Sequence, residues 1–259
     1  MSDTIIEVKD VYKCFWVGDV PFPALNGVDV EVKRGQFMVL AGRSGSGKST
    51  LLNVIGGLEL ADRGTVKVCG RDFNETPADE RTRFRLRNIG FVFQAYNLIG
   101  VLNAMENVAF VCQLQGKENS ECMDTAKHWL TEVGLGKLLD RRPHQLSGGQ
   151  QQRVAVARAL AMNPALVLAD EPTANLDSST GRELIELMTR LNEDFETTFL
   201  ISSHDPAVLA AGSPVIHLED GRLLSTDPNR PPPQPPQAAC AIPQRNWGQR
   251  FGAWITGKS

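Results

Sequence analysis

The chain of 259 residues is long enough for one large α/β domain or two small ones. Its 42% hydrophobic and 22% charged content fits a folded, soluble protein, and a net charge of −3 argues against a surface built for nucleic acid. No apolar run of about 18 residues suggests a membrane span, MSDTIIEVKD lacks the apolar stretch of a secretory signal, and the scattered cysteines at 14, 69, 112, 122 and 240 contain no CxxC pair, so they read as reduced thiols and neither as a disulfide frame nor as a zinc site.

From the N-terminus, IIEVKDVYKCF and Val28 to Val32 alternate in strand fashion. FMVLAG (37–42) is an apolar run ending in glycine and reads as a buried strand, and STLLNVIGGL begins a helix. TVKVCG (65–70) is another strand. NIGFVFQ (88–94) is a strand preceded by the basic helical stretch ERTRFRLR, whose Arg81, Arg83, Arg85 and Arg87 read as a solvated face. Residues 97–145 read as mostly helical, with MDTAKHWLTEVGL (123–135) amphipathic and Trp129 in its core face. SGGQQQRVAVARALAMNP is a helix stopped by proline, and the helix STGRELIELMTRLNEDF separates the buried strands ALVLAD and TTFLISSH. Strands alternating with helices imply an α/β fold with a mostly parallel sheet. From Pro228 the composition changes. Prolines at 228, 231, 232, 233, 235, 236 and 243 suggest an extended linker, and Arg230, Arg245, Arg250 and Lys258 have no compensating acid. The division expected is a domain over 1–227 and a Pro-rich, basic, aromatic tail over 228–259. Trp247, Phe251 and Trp254 would share one face if the tail turned helical, which fits a membrane surface, a clamp on a partner, a dangling end or docking on the body.

Gly42-Arg43-Ser44-Gly45-Ser46-Gly47-Lys48-Ser49, followed by Thr50, fits GxxxxGK[ST] between a strand and a helix. Such a loop lets the backbone wrap an anion, and the helix adds its positive end. Lys48 would reach the β- and γ-phosphates, and Ser49 would ligate Mg²⁺. At the end of ALVLAD, Asp170 can hold a Mg²⁺-bound water and Glu171 can orient an attacking water. Leu146-Ser147-Gly148-Gly149-Gln150 opens a second helix with a second anion cradle. One nucleotide needs one cradle, so the second is either a plain helix cap or serves a nucleotide held by another copy.

These motifs, in this order, resemble the ATP-binding subunits of ABC transporters over about residues 4–225. GRSGSGKST is similar to Walker A, LVLADE to Walker B, and LSGGQQQRV to the signature sequence. Gln94 matches the Q-loop, Ala174-Asn175-Leu176-Asp177 the D-loop, and His204 the switch histidine. Phe15 occupies the place of the adenine-stacking aromatic, with Tyr12 and Trp16 as alternatives. FVFQAYNLI and LADEPTANLD most resemble the branch that serves lipoprotein release and macrolide export. Arg43 stands where that branch usually has proline, and Ala174 where glycine is commoner. The resemblance implies a P-loop core, an N-terminal antiparallel sheet and a helical subdomain over about 95–160. It implies ATP and Mg²⁺ as ligands, with Ser49, Gln94 and Asp170 near the metal, and Lys48, Gln94, Glu171 and His204 in catalysis. Ser147, Gly148, Gly149, Gln150 and Asp177 would touch nucleotide across a head-to-tail dimer. Transmembrane permease subunits, peripheral attachment at the cytoplasmic face of the inner membrane, and export or envelope work in preference to import are further implications. Leu98, Ile99, Val101 and Leu102 are more apolar than a solvated loop requires, so they either form a partner groove or pack internally. DNA-repair relatives would need a long coiled coil between the motifs, and ribosome-associated relatives two fused copies; neither pattern occurs. A degenerate binding subunit would lack Lys48, Asp170, Glu171 or His204, all of which are present.

Overall fold

The computed structural model describes residues 3–224 and Cys240. Strands β1 (Thr4–Val17) and β2 (Val20–Lys33) form a long antiparallel hairpin, joined by β4 (Arg63–Val68) and β5 (Arg71–Asp72) in the order β2-β1-β4-β5; β3 (Phe37–Ala41) begins a second sheet. That sheet runs β10-β9-β3-β8-β7-β6, with β6 at Ile89–Val92, β7 at Leu166–Asp170, β8 at Thr198–Ser203, β9 at Val215–Glu219 and β10 at Arg222–Leu223. Its strands are parallel except β10, which turns back on β9. The helices are α1 (Lys48–Ile55), α2 (Ala78–Asn88), α3 (Ala104–Leu114), α4 (Asn119–Glu132), α5 (Gly148–Leu160), α6 (Ser178–Phe195) and α7 (Pro206–Ala211).

The apolar runs of the central strands are explained by two hydrophobic clusters, one on each face of the sheet. Phe37, Val39, Val167, Ala169, Phe199 and Ile201 join a cluster with α3, α4, α5 and α6. The residues between them, Met38, Leu40, Leu166, Leu168 and Leu200, join a second cluster with α1 and the antiparallel sheet. A strand covered on both faces has no polar position to alternate with. Trp129 lies in the first cluster, as the amphipathic pattern of α4 requires.

The structure differs from the sequence reading in four places. First, β2 starts at Val20, well before the alternating Val28 to Val32, because pairing with β1 carries Phe22 opposite Phe15 without any period-two pattern. Second, α7, β9 and β10 had no pattern strong enough to read. Third, Arg81 and Arg85 do not belong to a solvated face: Arg81 donates to the Phe73 and Thr76 carbonyls, and Arg85 to the Gly57 carbonyl, while Arg83 and Arg87 are exposed. Fourth, Cys14 and Cys240 are joined by a disulfide, contrary to the expectation that all cysteines are free. Spacing gave no warning, because the partners stand 226 residues apart. Residues 225–239 and 241–259, which hold the expected proline linker and the Trp247/Phe251/Trp254 face, lie outside the described residues.

Close approach of α5 to β6 fixes the second glycine cradle relative to the strand that leads to Gln94. A Cβ on Gly90 would stand 2.6 Å from the Ala159 carbonyl oxygen. Gly90→Ala should therefore force α5 off the sheet and cost about 1–3 kcal/mol, as overpacked cores do. Urea unfolding monitored by circular dichroism tests this; an unchanged midpoint would mean that the helix has room to shift.

Candidate functional site

The three central strands end side by side, and each delivers polar groups to the same edge. Asp170 pairs with Ser202, and Ala41 with Ser203, in parallel register. Beyond Ala41 the chain wraps through Gly42–Gly47 into α1. Two glycines there have no space for a side chain: a Cβ would lie 2.3 Å from the Leu218 carbonyl oxygen at Gly42, and 2.4 Å from that of Ala24 at Gly47. Helix α1 begins with no side-chain cap and no acid in its first turn, so its leading N–H groups have no side-chain acceptor. The Ser46 hydroxyl is buried and has no hydrogen-bond partner. Glycines that cannot be replaced, an uncapped positive helix end and an orphaned hydroxyl fit a phosphate.

Lys48 is only 5% exposed. Its ammonium donates to the carbonyls of Gly42 (2.8 Å) and Arg43 (3.0 Å) and lies 3.2 Å from Glu171 Oε1. A buried cation needs such oxygens, since an unpaired one is costly. Glu171 in turn meets His204 Nδ1 at 3.0 and 3.1 Å. Its backbone has φ 46°, the left-handed region, and its N–H is held by the Ser202 carbonyl and hydroxyl. Beside it, the Ser49 hydroxyl donates to Asp170 Oδ1 at 3.0 Å, and the Ser202 hydroxyl to the same oxygen at 2.5 Å. The structure thus brings Lys48, Ser49, Asp170, Glu171 and His204 together, and adds Ser202, which sequence reasoning missed. Its only signal was membership in ISSHD, next to the strand end.

Other expected residues lie elsewhere. Ser147 caps α5 with a reciprocal pair: its hydroxyl accepts from the Gln150 N–H, and the Gln150 side chain accepts from the Ser147 N–H. The hydrogen bonds of this second cradle stay within it and do not reach the Lys48 loop. Asp177 caps α6 and accepts from Ser179 and Thr180; the Ser179 hydroxyl, then the Thr180 hydroxyl, hold its carboxyl well below the usual range. Gln94 is exposed, and its carbonyl accepts from Asn175 Nδ2 at 2.9 Å. The loop after it is fixed by Arg158, whose guanidinium donates to the Tyr96 and Asn97 carbonyls, and the residue before it by buried Gln152, which donates to the Phe93 carbonyl. Arg158 and Gln152 were also missed; they lie inside LSGGQQQRVAVAR, where nothing marks them as supports of a distant loop.

Among the aromatic alternatives, Tyr12 is buried under the Arg63 guanidinium and presents no free face. Phe15 and Trp16 are each more than a third exposed, and the Lys13 ammonium stands 5.4 Å from the Phe15 ring centre. Of the apolar residues after Gln94, Leu98 packs against the core, whereas Ile99 and Val101 are exposed. Asn107 pins this loop: its side chain bonds the backbone N–H of Ile99 and the carbonyls of Ile99, Leu102 and Asn103.

Comparison with known proteins gives the same picture. The family described as ABC transporter matches residues 25–174. The lipoprotein-releasing system ATP-binding protein LolD of Anaeromyxobacter dehalogenans is 46% identical over 226 residues, which are 87% of this chain and 95% of that one. The macrolide export ATP-binding/permease protein MacB of Syntrophobacter fumaroxidans is 42% identical over 84% of this chain, but only 31% of its own length is covered. A dimeric post-hydrolysis structure of the ATP-binding cassette MJ0796, bound to ADP and Pi, superposes with a TM-score of 0.79 at 40% identity, covering 85% of this chain and 96% of that one. With its motifs, its cassette fold and these relatives in agreement, the chain belongs to the ABC transporter family as an ATP-hydrolysing, ATP-binding subunit.

Proposed function

We propose that Gly42–Thr50 and Phe15 hold ATP, that Ser49, Asp170 and Gln94 surround Mg²⁺, and that the chain powers extraction or export of an envelope substrate by transmembrane subunits. The observation that carries this reading is the meeting of Lys48, Glu171 and His204 at 3.0 to 3.2 Å beside Ser49 and Asp170. Arriving phosphate oxygens would replace the carbonyls that now hold Lys48, placing its charge on the γ-phosphate side. The backbone of Arg43, Ser44, Gly45, Ser46 and Gly47 would donate to the remaining oxygens. Mg²⁺, when bound, neutralises developing phosphate charge. Glu171, held in a left-handed backbone turn, accepts a hydrogen from the attacking water and orients it, and His204 steadies both that carboxylate and the transferred charge. Catalysis of this kind is positioning plus electrostatics.

The second cradle, Ser147, Gly148, Gly149 and Gln150, together with Asp177, acts on the nucleotide of another copy in a head-to-tail dimer. The support is the separateness of the two cradles within one chain and the likeness to a cassette solved as a dimer. Peripheral attachment follows from partners that span the membrane: no helix among the described residues is long and apolar enough to do so. The site of attachment is the groove of about 290 Å³ lined by Phe91, Phe93, Ile99, Phe110 and Met162, with exposed Val101 two residues beyond Ile99 and Gln94 directly after Phe93 in the chain. Identity to a lipoprotein-releasing ATP-binding protein and to a macrolide exporter favours envelope extraction or export over import, at the cytoplasmic face of the inner membrane.

Glu171→Gln should bind Mg-ATP, lose turnover by about 100-fold or more and accumulate as a crosslinkable dimer. A phosphate-release assay and crosslinking with and without ATP read both effects; turnover close to the parent value would remove Glu171 from the water-orienting role. Val101→Asp should abolish co-purification with detergent-extracted membrane subunits, yet shift unfolding by no more than about 0.5 kcal/mol, since Val101 is 75% exposed. Retained co-purification would move the docking site away from this loop.

A further inference from the structure

The apolar run of β8 ends in two fully buried serines, Ser202 and Ser203. A hydroxyl taken out of water on so apolar a strand must be hydrogen-bonded to be stable there. Ser202 commits both of its capacities to the two residues at the end of β7. Its one proton goes to Asp170 Oδ1 at 2.5 Å, and its oxygen accepts the Glu171 N–H at 3.0 Å. The same N–H lies 3.1 Å from the Ser202 carbonyl. Ser203 is equally buried, but its hydroxyl accepts from the Asp205 N–H instead. The other donor to Asp170 Oδ1 is Ser49, at 3.0 Å. The two hydroxyls stand on different footings. Ser49 is exposed and sits in the first turn of α1, behind the phosphate loop, whereas Ser202 is 0% exposed and held in register between Leu40 of β3 and Asp170 of β7. Both donors use Oδ1, and no hydrogen bond reaches Asp170 Oδ2 among the described residues.

We propose that Ser202 is a positioning residue for the divalent cation: from inside the sheet it holds Oδ1 of Asp170 and so reserves Oδ2 for the metal side, and through the Glu171 N–H it ties the pose of the water-orienting acid to that of the metal-facing acid. This rests on the placement of Mg²⁺ beside Ser49 and Asp170 proposed above. Hydroxyl and carboxylate oxygens are the donors that this hard cation takes. A carboxylate free to rotate must be ordered when a metal binds, and that cost weakens binding. Ser202 has already ordered Asp170 in the folded chain, because the hydroxyl itself is fixed by the pairing of β8 with β3 and β7. Ser49 cannot take over this task alone, since it lies on the ligand side of Asp170 and belongs to the segment that adapts to phosphate. The Glu171 N–H, shared between the hydroxyl and the carbonyl of one residue, gives the second acid the same fixed reference.

The test uses the full chain and a fluorescent, non-hydrolysable ATP analogue, first in EDTA and then titrated with Mg²⁺. In EDTA, Ser202→Ala should bind the analogue as the parent does, because the phosphate loop is untouched. The midpoint of the Mg²⁺-dependent change should rise by about tenfold. Ser203→Ala, which removes an equally buried hydroxyl from the same strand, should keep the parent midpoint. Ser202→Cys, nearly the same size but a much weaker donor, carries the same expectation if alanine unsettles the strand. Weaker binding in EDTA as well, or an equal shift in Ser203→Ala, would mean general loosening and overturns the proposal. At Mg²⁺ concentrations that saturate each protein, Ser202→Ala should still hydrolyse ATP more slowly than the parent; full recovery there removes the tie to Glu171. Asp170→Asn keeps the two readings apart. Mg²⁺ dependence unaltered by that change removes the placement of the metal, whereas a midpoint that moves with Asp170→Asn but is unchanged or lower in Ser202→Ala overturns the role of Ser202 alone.

Discussion

A lysine ammonium at 5% exposure can be stable only inside a shell of oxygens, and Lys48 shapes the site through that demand. Two of its oxygens come from the loop that it closes, at Gly42 and Arg43, and a third from Glu171 at the end of β7. Supplying the third requires β3 and β7 to end at the same level with β8 between them, which the in-register parallel pairing achieves. The burial that makes the cation costly in isolation also makes it responsive. In the function proposed above, a ligand that offers better oxygens than a backbone carbonyl takes it over with little reorganisation, which leaves Glu171 free to serve a water. On that proposal, substrate recognition and release of the Glu171 carboxylate are two sides of one exchange of partners.

The neighbouring hydroxyls extend the same logic. Ser49 and Ser202 both donate to one oxygen of Asp170, so this carboxylate is oriented from α1 and from β8 at once. Ser202 also holds the Glu171 N–H, which helps to keep that residue in its left-handed turn. A single side chain on β8 therefore aligns both acids at the end of β7.

The phosphate loop and its partner strand were legible because each is contiguous: strand, glycines, lysine and helix follow one another, and the apolar run of β7 leads straight to Asp170 and Glu171. The alternation of core faces along β3, β7 and β8 explains why these strands could be found but their two faces could not be told apart beforehand. What escaped notice was non-local. Ser202, Arg158, Gln152 and Asn107 act through backbone groups that lie far away in sequence, and Arg81 and Arg85 looked like surface charge until the carbonyls they bind were in place. Strands β9 and β10, at one side of the sheet, are short and mostly half-buried or exposed, so little hydrophobic pattern marks them. The Cys14–Cys240 bond is the extreme case, since neither cysteine has a neighbour in sequence that identifies its partner.

The turn between β9 and β10 has a mechanical meaning. Gly221 donates its N–H to the Ser46 carbonyl in the phosphate loop and accepts from the Asn26 N–H in β2. One residue thereby rivets the antiparallel sheet to the loop, while the β9–β10 pair it connects belongs to the other sheet. Three residues later the chain reaches Leu224 and continues toward Cys240. Tension applied at Leu224 is thus delivered within a few bonds to the Gly42–Gly47 loop, as on a short lever whose fulcrum is Gly221. The last strand pair of the cassette is in this way geared directly to that loop.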